Sequence, residues 1–257
     1  EEVIEGLEGN QLELQGMIGM GKFVDFFRDR VLHWQNSLSQ MEEVLKVWSN
    51  VSRSWSALES IFLASADIRS QLPEDTKRFE GLDSEFKELM KEAVVEPNCL
   101  TVCSVEGRQE ALRSMMTRLD QCQKSLNEYL DQKKKIFPRF YFVSNVALLD
   151  MLANGTNPPK IIKYIGDCYD SLSGLTFITQ ADGTTSNKIV NEMTAKDGER
   201  LMLSANFTLE GEIERYLNNL TEAMRDTLKI EMGRGYDEAA NWETGEPRHE
   251  WLFRLPA

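Results

Sequence analysis

The chain has 257 residues, 41% of them hydrophobic, enough for one large domain or two small ones with a real core, which excludes disorder throughout. Its 42 acidic and 29 basic side chains give a net charge of −13, which repels a phosphate backbone and excludes nucleic acid as a partner unless a local basic patch overrides the mean. No apolar run approaches the roughly 20 residues that span a bilayer, so no membrane partner is expected.

From Val31 the apolar residues recur at Trp34, Leu38, Met41, Leu45 and Trp48, then at Val51, Trp55, Leu58 and Phe62. Every step is three or four, which predicts a long amphipathic helix. Unbroken from Lys22 to Phe62 it would span roughly 60 Å at about 1.5 Å per residue. The serines and asparagine of Ser49 to Ser54 leave a break there as the alternative. Pro73, ahead of Glu74 and Asp75, opens a second helix, since its missing N–H is harmless there and the acids face the positive helix end. Phe79, Leu82, Phe86, Leu89 and Met90 continue it, and Glu96-Pro97-Asn98 ends it. A third helix carries Leu112, Met115, Leu119, Cys122, Leu126 and Tyr129.

Phe137-Pro138 stops the third helix, and Ser144 or Asn145 can cap a helix running to Leu152. Phe137, Pro138, Phe140, Phe142, Ser144 and Asn145 together read as a structural corner, with Phe140 and Phe142 buried beside the proline. Pro158-Pro159 starts a short helix with Ile161, Ile162, Tyr164, Ile165 and Tyr169 on its apolar face. Ile189, Val190 and Met193, then Lys196-Asp197-Gly198, then Leu201 and Leu203 predict a small β-hairpin near 188–204. Helical spacing resumes from Gly211 through Ile213, Tyr216, Leu217, Leu220, Met224 and Leu228. The pattern divides the chain into 1–136, built of long helices, and 137–257, with short helices, the hairpin and a C-terminal helix. Both termini are expected to be cut points in a longer chain.

Chemistry is sparse. Gly16-Met-Ile-Gly-Met-Gly21-Lys22 fits half of a phosphate-binding P-loop, but Phe23 stands where a Ser or Thr must ligate Mg²⁺. The upstream run Gln11 to Gln15 is also too polar for the buried strand such a loop requires. His33 and His249 have no partner at zinc spacing, and Cys99 with Cys103 offers two ligands only. The four cysteines do not make a disulfide framework, so a reducing compartment fits. Lys133-Lys134-Lys135 reads as a solvated, dipole-favourable helix end. Trp34, Trp48 and Trp55 read as core, whereas Trp242 and Trp251 lie outside the periodic segments and could mark a contact with sequence elsewhere. No catalytic, cofactor-binding or metal-ligating residue is nominated.

Several segments carry a family resemblance: Trp34 with its spacing to Trp48 and Trp55, Trp55-Ser-Ala-Leu-Glu-Ser-Ile-Phe62, Asp67-Ile-Arg-Ser-Gln-Leu-Pro73, Lys87 in Phe-Lys-Glu-Leu, and Tyr129-Leu-Asp-Gln-Lys133. The most specific is Phe137-Pro-Arg-Phe-Tyr-Phe142, which opens the stretch to Asp150. In order and spacing these resemble the linker that precedes the first AAA module of dynein heavy chains, and Asp67 to Gly81 looks more like an axonemal outer-arm chain than a cytoplasmic one. One departure is Val146-Ala147, where many linkers carry an acidic pair.

The resemblance implies a mainly α fold, an elongated multi-helix bundle of helical-rod, linker type with one small β-hairpin. It implies a lever that bends and straightens over the AAA ring of the same heavy chain, non-catalytic in itself. ATP and Mg²⁺ would be bound by AAA modules elsewhere in the heavy chain, microtubules by a stalk, and other dynein subunits by a tail, in the cytoskeleton of a cilium or flagellum. The hinge is expected near Glu96 to Gly107 or Gln180 to Asn187, and Lys196, Asp197 and Gly198 are the candidate ring contact. A spectrin-like or adaptor bundle is the rival reading, and its expected repeat of roughly 100 residues is not visible. An enzyme with scattered catalytic carboxylates is the third.

Overall fold

The structure is a computed structural model that describes residues 2–179, 183–239, 245 and 247–250. The chain divides into two compact units, Glu1–Asn127 and Glu128–Ala257.

The first unit begins with α1 (Glu2–Ile18), a 3-10 segment (Gly21–Phe27) and α2 (Arg28–Ala64). α2 is one continuous helix of 37 residues, about 55 Å long at the standard rise. The Ser49–Ser54 cluster does not break it, because Ser49, Asn50 and Arg53 face solvent while Val51 between them is fully buried. The buried seam is Val44, Val51 and Leu58, spaced by two helical turns, followed by Phe62.

This corrects the placement of the three tryptophans in the core. Trp48 and Trp55 are half-buried at the rim and Trp34 is exposed. An indole is large and carries an N–H that needs a partner, so it sits where its polar edge can reach one. Trp55 Nε1 donates to Asp83 at 3.0 Å, and its ring lies 4.9 Å from that of Phe86. The Arg108 guanidinium lies 5.9 Å from the Trp48 ring centre.

Ser65 ends α2 and caps α3 (Ala66–Gln71), its Oγ accepting from the Ile68 amide at 3.3 Å. Pro73 opens α4 (Pro73–Val95), and Asn98 caps the single turn α5 (Cys99–Cys103) by accepting from the Leu100 amide at 3.0 Å. α6 (Arg108–Ile136) follows and runs beyond the end of the unit. Phe62 stacks on Phe79 at 5.3 Å and Trp55 meets Phe86, so α2 and α4 are antiparallel. Cys122 reaches the Asp75 carbonyl at 3.7 Å and Arg118 donates to Glu85 at 2.8 Å, so α4 and α6 are antiparallel too. Phe79, Leu82, Phe86 and Leu89 on α4, with Leu112, Met115, Leu119, Cys122 and Leu126 on α6, complete the core. Each such fully buried side chain contributes about 1.5–3 kcal/mol of transfer free energy.

The second unit takes up the last turns of α6, then a 3-10 segment (Pro138–Phe142), α7 (Asn145–Ala153), α8 (Pro158–Ile161) and α9 (Ile165–Cys168). The single helix expected after Pro158 is thus broken by a 3-10 turn at Ile162–Tyr164. Three antiparallel strands follow, β1 (Leu172–Thr179), β2 (Thr185–Ala195) and β3 (Arg200–Thr208), in spatial order β1-β2-β3. The expected hairpin is β2-β3, and β1 enlarges it to a sheet. β1 was hidden because the register shifts between Leu172 and Gly174, again before Phe177 and again before Thr179, which destroys the period of two. Thr185 to Asn187, expected in a flexible joint, belong to β2, while residues 180–182 of that joint lie outside the described residues.

α10 (Ile213–Ala239) closes the unit against β3. Thr227, buried in α10, accepts from the Ser204 amide of β3 at 3.0 Å, which satisfies that backbone donor. The fold among the described residues is mainly α with one small antiparallel sheet. Trp242 and Trp251 lie outside the described residues.

Candidate functional site

The corner after α6 is built from two buried aromatics, Phe137 and Phe140, followed by two exposed ones, Tyr141 and Phe142. Pro138 cannot continue α6 and starts the 3-10 turn. Phe137 and Phe140 are buried and meet edge to face at 4.9 Å, and Tyr169 lies 6.3 Å from Phe137. Phe142 corrects the expectation, because it is 76% exposed. On a 3-10 turn, residues three apart share a face, so burying Phe137 and Phe140 turns Phe142 outward. Ser144 is the cap of α7, its Oγ accepting from the Ala147 amide at 3.2 Å. Asn145 is the first helical residue and accepts from Lys134 Nζ at 2.8 Å, which ties α7 back to α6.

The lysine run at the end of α6 is not simply solvated, which is a second correction. Lys133 pairs with Glu214 in the first turn of α10, a carboxylate 1% exposed. Lys134 serves Asn145 and lies over the Tyr141 ring at 5.7 Å, and only Lys135 of the three is exposed. Asn218 of α10 adds a bond from its Nδ2 to the Ile136 carbonyl at 2.8 Å, satisfying a helix-end acceptor. Sequence gave no sign of Glu214 or Asn218, since both look like surface residues of a polar helix.

Tyr169 is the other tie. Its hydroxyl donates to the Leu217 carbonyl at 3.1 Å and lies 2.7 Å from Thr221 Oγ1, while Arg139 stacks 4.7 Å from its ring centre and donates to the Cys168 carbonyl at 3.2 Å. Burial pushes the Tyr169 phenol up to about 12, and burial with Asp167 nearby does the same to the Cys168 thiol. Burial thus favours the neutral form of both groups.

The hairpin tip lies apart from the corner. Lys196, Asp197 and Gly198 are all exposed. Gly198, at φ 94°, donates to the Ala195 carbonyl at 3.1 Å, and Asp197 Oδ1 accepts from the Glu199 amide at 3.0 Å. These two bonds close the turn, and the Lys196 ammonium lies 3.5 Å from Asp170. In the first unit, the joint between α4 and α6 is held down: Arg108 donates to Glu92 at 2.9 Å, Gln109 to Glu43 at 2.7 Å, and Val102 and Cys103 of α5 are buried. Gly107, at φ 77°, makes the turn into α6.

Gln11 to Gln15 form helix and Lys22 a 3-10 turn, so the Gly16–Lys22 segment has neither the strand nor the geometry of a P-loop. Among the described residues no three His, Cys, Asp or Glu side chains are grouped to hold a metal ion, and no helix is long and apolar enough to cross a membrane. What the residues offer is a set of stiff junctions.

The profile of the family described as "Dynein heavy chain, N-terminal region 2" matches residues 1–235. The chain is 39% identical to the dynein beta chain of the flagellar outer arm of Chlamydomonas reinhardtii, over 98% of this chain and 5% of that protein. It is 40% identical to human dynein axonemal heavy chain 9 and 38% identical to the ciliary dynein beta chain of Tripneustes gratilla, in each case over 100% of this chain and 6% of the relative. The chain therefore spans about one-twentieth of the length of these relatives. With nearly all of its length matched, the chain belongs to the dynein heavy-chain family, in which the relatives it resembles are heavy chains of axonemal, ciliary and flagellar dyneins.

Proposed function

We propose that this chain is the mechanical lever of an axonemal dynein heavy chain, bending and straightening over the AAA ring of the same polypeptide. One observation carries this reading. The end of α6, a helix of 29 residues, is pinned by three polar ties: Lys133 to Glu214, Asn218 to the Ile136 carbonyl and Lys134 to Asn145. A lever has to pass strain along its length, and close-packed interiors tied by directional hydrogen bonds transmit strain rather than absorb it. The long uninterrupted α2 supports the same reading.

In this proposal the chain performs no catalysis. ATP and Mg²⁺ bind AAA modules elsewhere in the heavy chain, a stalk reaches the microtubule, and the tail carries other dynein subunits in the axoneme. The hairpin tip at Lys196–Gly198 touches the ring.

The test uses the whole heavy chain with Lys196→Cys carrying a short photo-cross-linker. Cross-links from this position to the ring should change between the nucleotide-free, ATP-bound and ADP-vanadate states. An identical pattern in all three overturns the lever and leaves a static tether.

A further inference from the structure

Two thiols that the lever reading does not use sit one helical turn apart in α5. Cys99 opens this single turn and is exposed, Cys103 closes it and is buried, and both are free. Burial pushes the Cys103 thiol up, the neighbouring Cys99 adds to the shift and Arg108 opposes it, so the two sulfurs and the guanidinium form one local group. Cys103 also borders an open cleft of about 430 Å³, together with Gln40, Gly107 and Arg108. Cys122 in α6 and Cys168 in α9 are core residues by contrast.

Residues four apart on a wound helix hold their Cβ atoms about 5–6 Å apart, whereas a disulfide brings them to roughly 3.5–4.5 Å. A bond between these two sulfurs therefore requires α5 to unwind. Few interactions oppose that. The Asn98 side chain caps the Leu100 amide, and the Val102 and Ser104 amides donate to the Asn98 and Leu100 carbonyls, each at 3.0 Å. Five residues are far fewer than a helix needs to persist by itself, so burial of Val102 and Cys103 in a turn packed on α2 supplies the rest. A disulfide closing so short a loop gains little from chain entropy, and strained disulfides are the readily reduced ones. Such a bond would act as a switch and not as a brace.

We propose that Cys99 and Cys103 form a dithiol–disulfide switch that unwinds α5 when a low-molecular-weight disulfide, such as glutathione disulfide, oxidises it. The exposed Cys99, as its thiolate, attacks one sulfur of glutathione disulfide; the S–S bond breaks, and one glutathione leaves and takes up a proton. As α5 opens, Cys103 loses its proton to water and its thiolate attacks the Cys99 Sγ. The mixed disulfide breaks, and the second glutathione leaves and is protonated in turn. Two protein thiols are oxidised and one glutathione disulfide is reduced to two thiols. Arg108 beside Cys103 stabilises the thiolate that the second step needs. The switch is independent of the lever reading and stands or falls apart from it.

The test equilibrates the whole heavy chain in glutathione buffers from fully reduced to fully oxidised, blocks the remaining free thiols, and weighs the tryptic peptide Glu92–Arg108, in which Cys99 and Cys103 are the only cysteines. The expected product is an internal disulfide, lighter by two hydrogen atoms than the dithiol, that reverts when reduced glutathione is added. Hydrogen exchange at the Val102 and Ser104 amides should be at least ~10-fold faster in the oxidised chain, because both lose their helical acceptors. Cys99→Ser should abolish the disulfide and the faster exchange, while the reduced variant keeps the melting behaviour of the parent because the position is exposed. A peptide that stays a dithiol in glutathione disulfide alone, or that stops at a glutathione adduct on Cys99, overturns the proposal. An internal disulfide that leaves the exchange of the two amides unchanged overturns it too.

Discussion

Lys133, in the last turn of α6, donates to Glu214, in the first turn of α10, and the carboxylate it meets is 1% exposed. The residues are 81 positions apart in sequence, so the pair exists only once the second unit has folded. Removing one partner leaves a buried charge without compensation. Lys133→Met should lower stability by about 3–5 kcal/mol, read from urea unfolding at neutral pH. Replacing both, as Lys133→Met with Glu214→Leu, should recover most of that loss. A single substitution that costs nothing would show that water reaches the carboxylate.

The corner separates its aromatics by face. Phe140→Ala should cost about 3–5 kcal/mol, because Phe140 is fully buried against Phe137. Phe142→Ala should stay within about 0.5 kcal/mol, because its ring faces solvent. Equal losses at the two positions would mean that Phe142 is covered.

Tyr169 predicts an alkaline weakening. Its phenol is raised to about 12 by burial, against an ordinary value of about 10 in an unfolded chain. Below pH ~10 neither state ionises and the contribution is whole; between ~10 and ~12 the unfolded chain gives up its proton first, so stability falls as pH rises. Tyr216 is raised by burial in the same direction. Tyr169→Phe loses a hydrogen bond worth about 1 kcal/mol at every pH but should show a shallower decline in urea midpoint from pH 8 to 11.5. Parallel declines in the two proteins would exclude a buried phenol.

The hairpin tip depends on one backbone conformation. Gly198 sits at φ 94°, so Gly198→Ala should cost on the order of 1–3 kcal/mol although a Cβ there meets nothing. Gly174→Ala, also facing open space but without a positive φ, should be near neutral or slightly stabilising by chain-entropy loss. Thermal melts of both variants measure the difference, and equal effects would place the turn in another conformation.

Much of this fold was legible in the sequence. The steps of three and four from Val31 to Phe62 and from Leu112 to Leu126 specify helices because burial of one face at helical period needs only local geometry. Pro73, Pro138 and Ser144 mark boundaries through their own backbone chemistry, and Lys196-Asp197-Gly198 marks a turn in the same way. The order of motifs from Trp34 to Phe142 carried the family. Local pattern failed where partners are remote. β1 escapes the pattern because its bulges erase the period, and period alone cannot tell that the tryptophans of α2 sit at the rim and not in the seam.

The sequence by itself therefore determined the helices, the corner, the hairpin and the membership in a heavy-chain family, all of which follow from neighbours a few residues apart or from ordered motifs. Only the tertiary structure decided which aromatics of the corner face inward, that Lys133 is half-buried rather than solvated, and that Phe23 and Phe26 stand exposed. Those outcomes rest on contacts between residues far apart in the chain. Neither spacing nor composition encodes them.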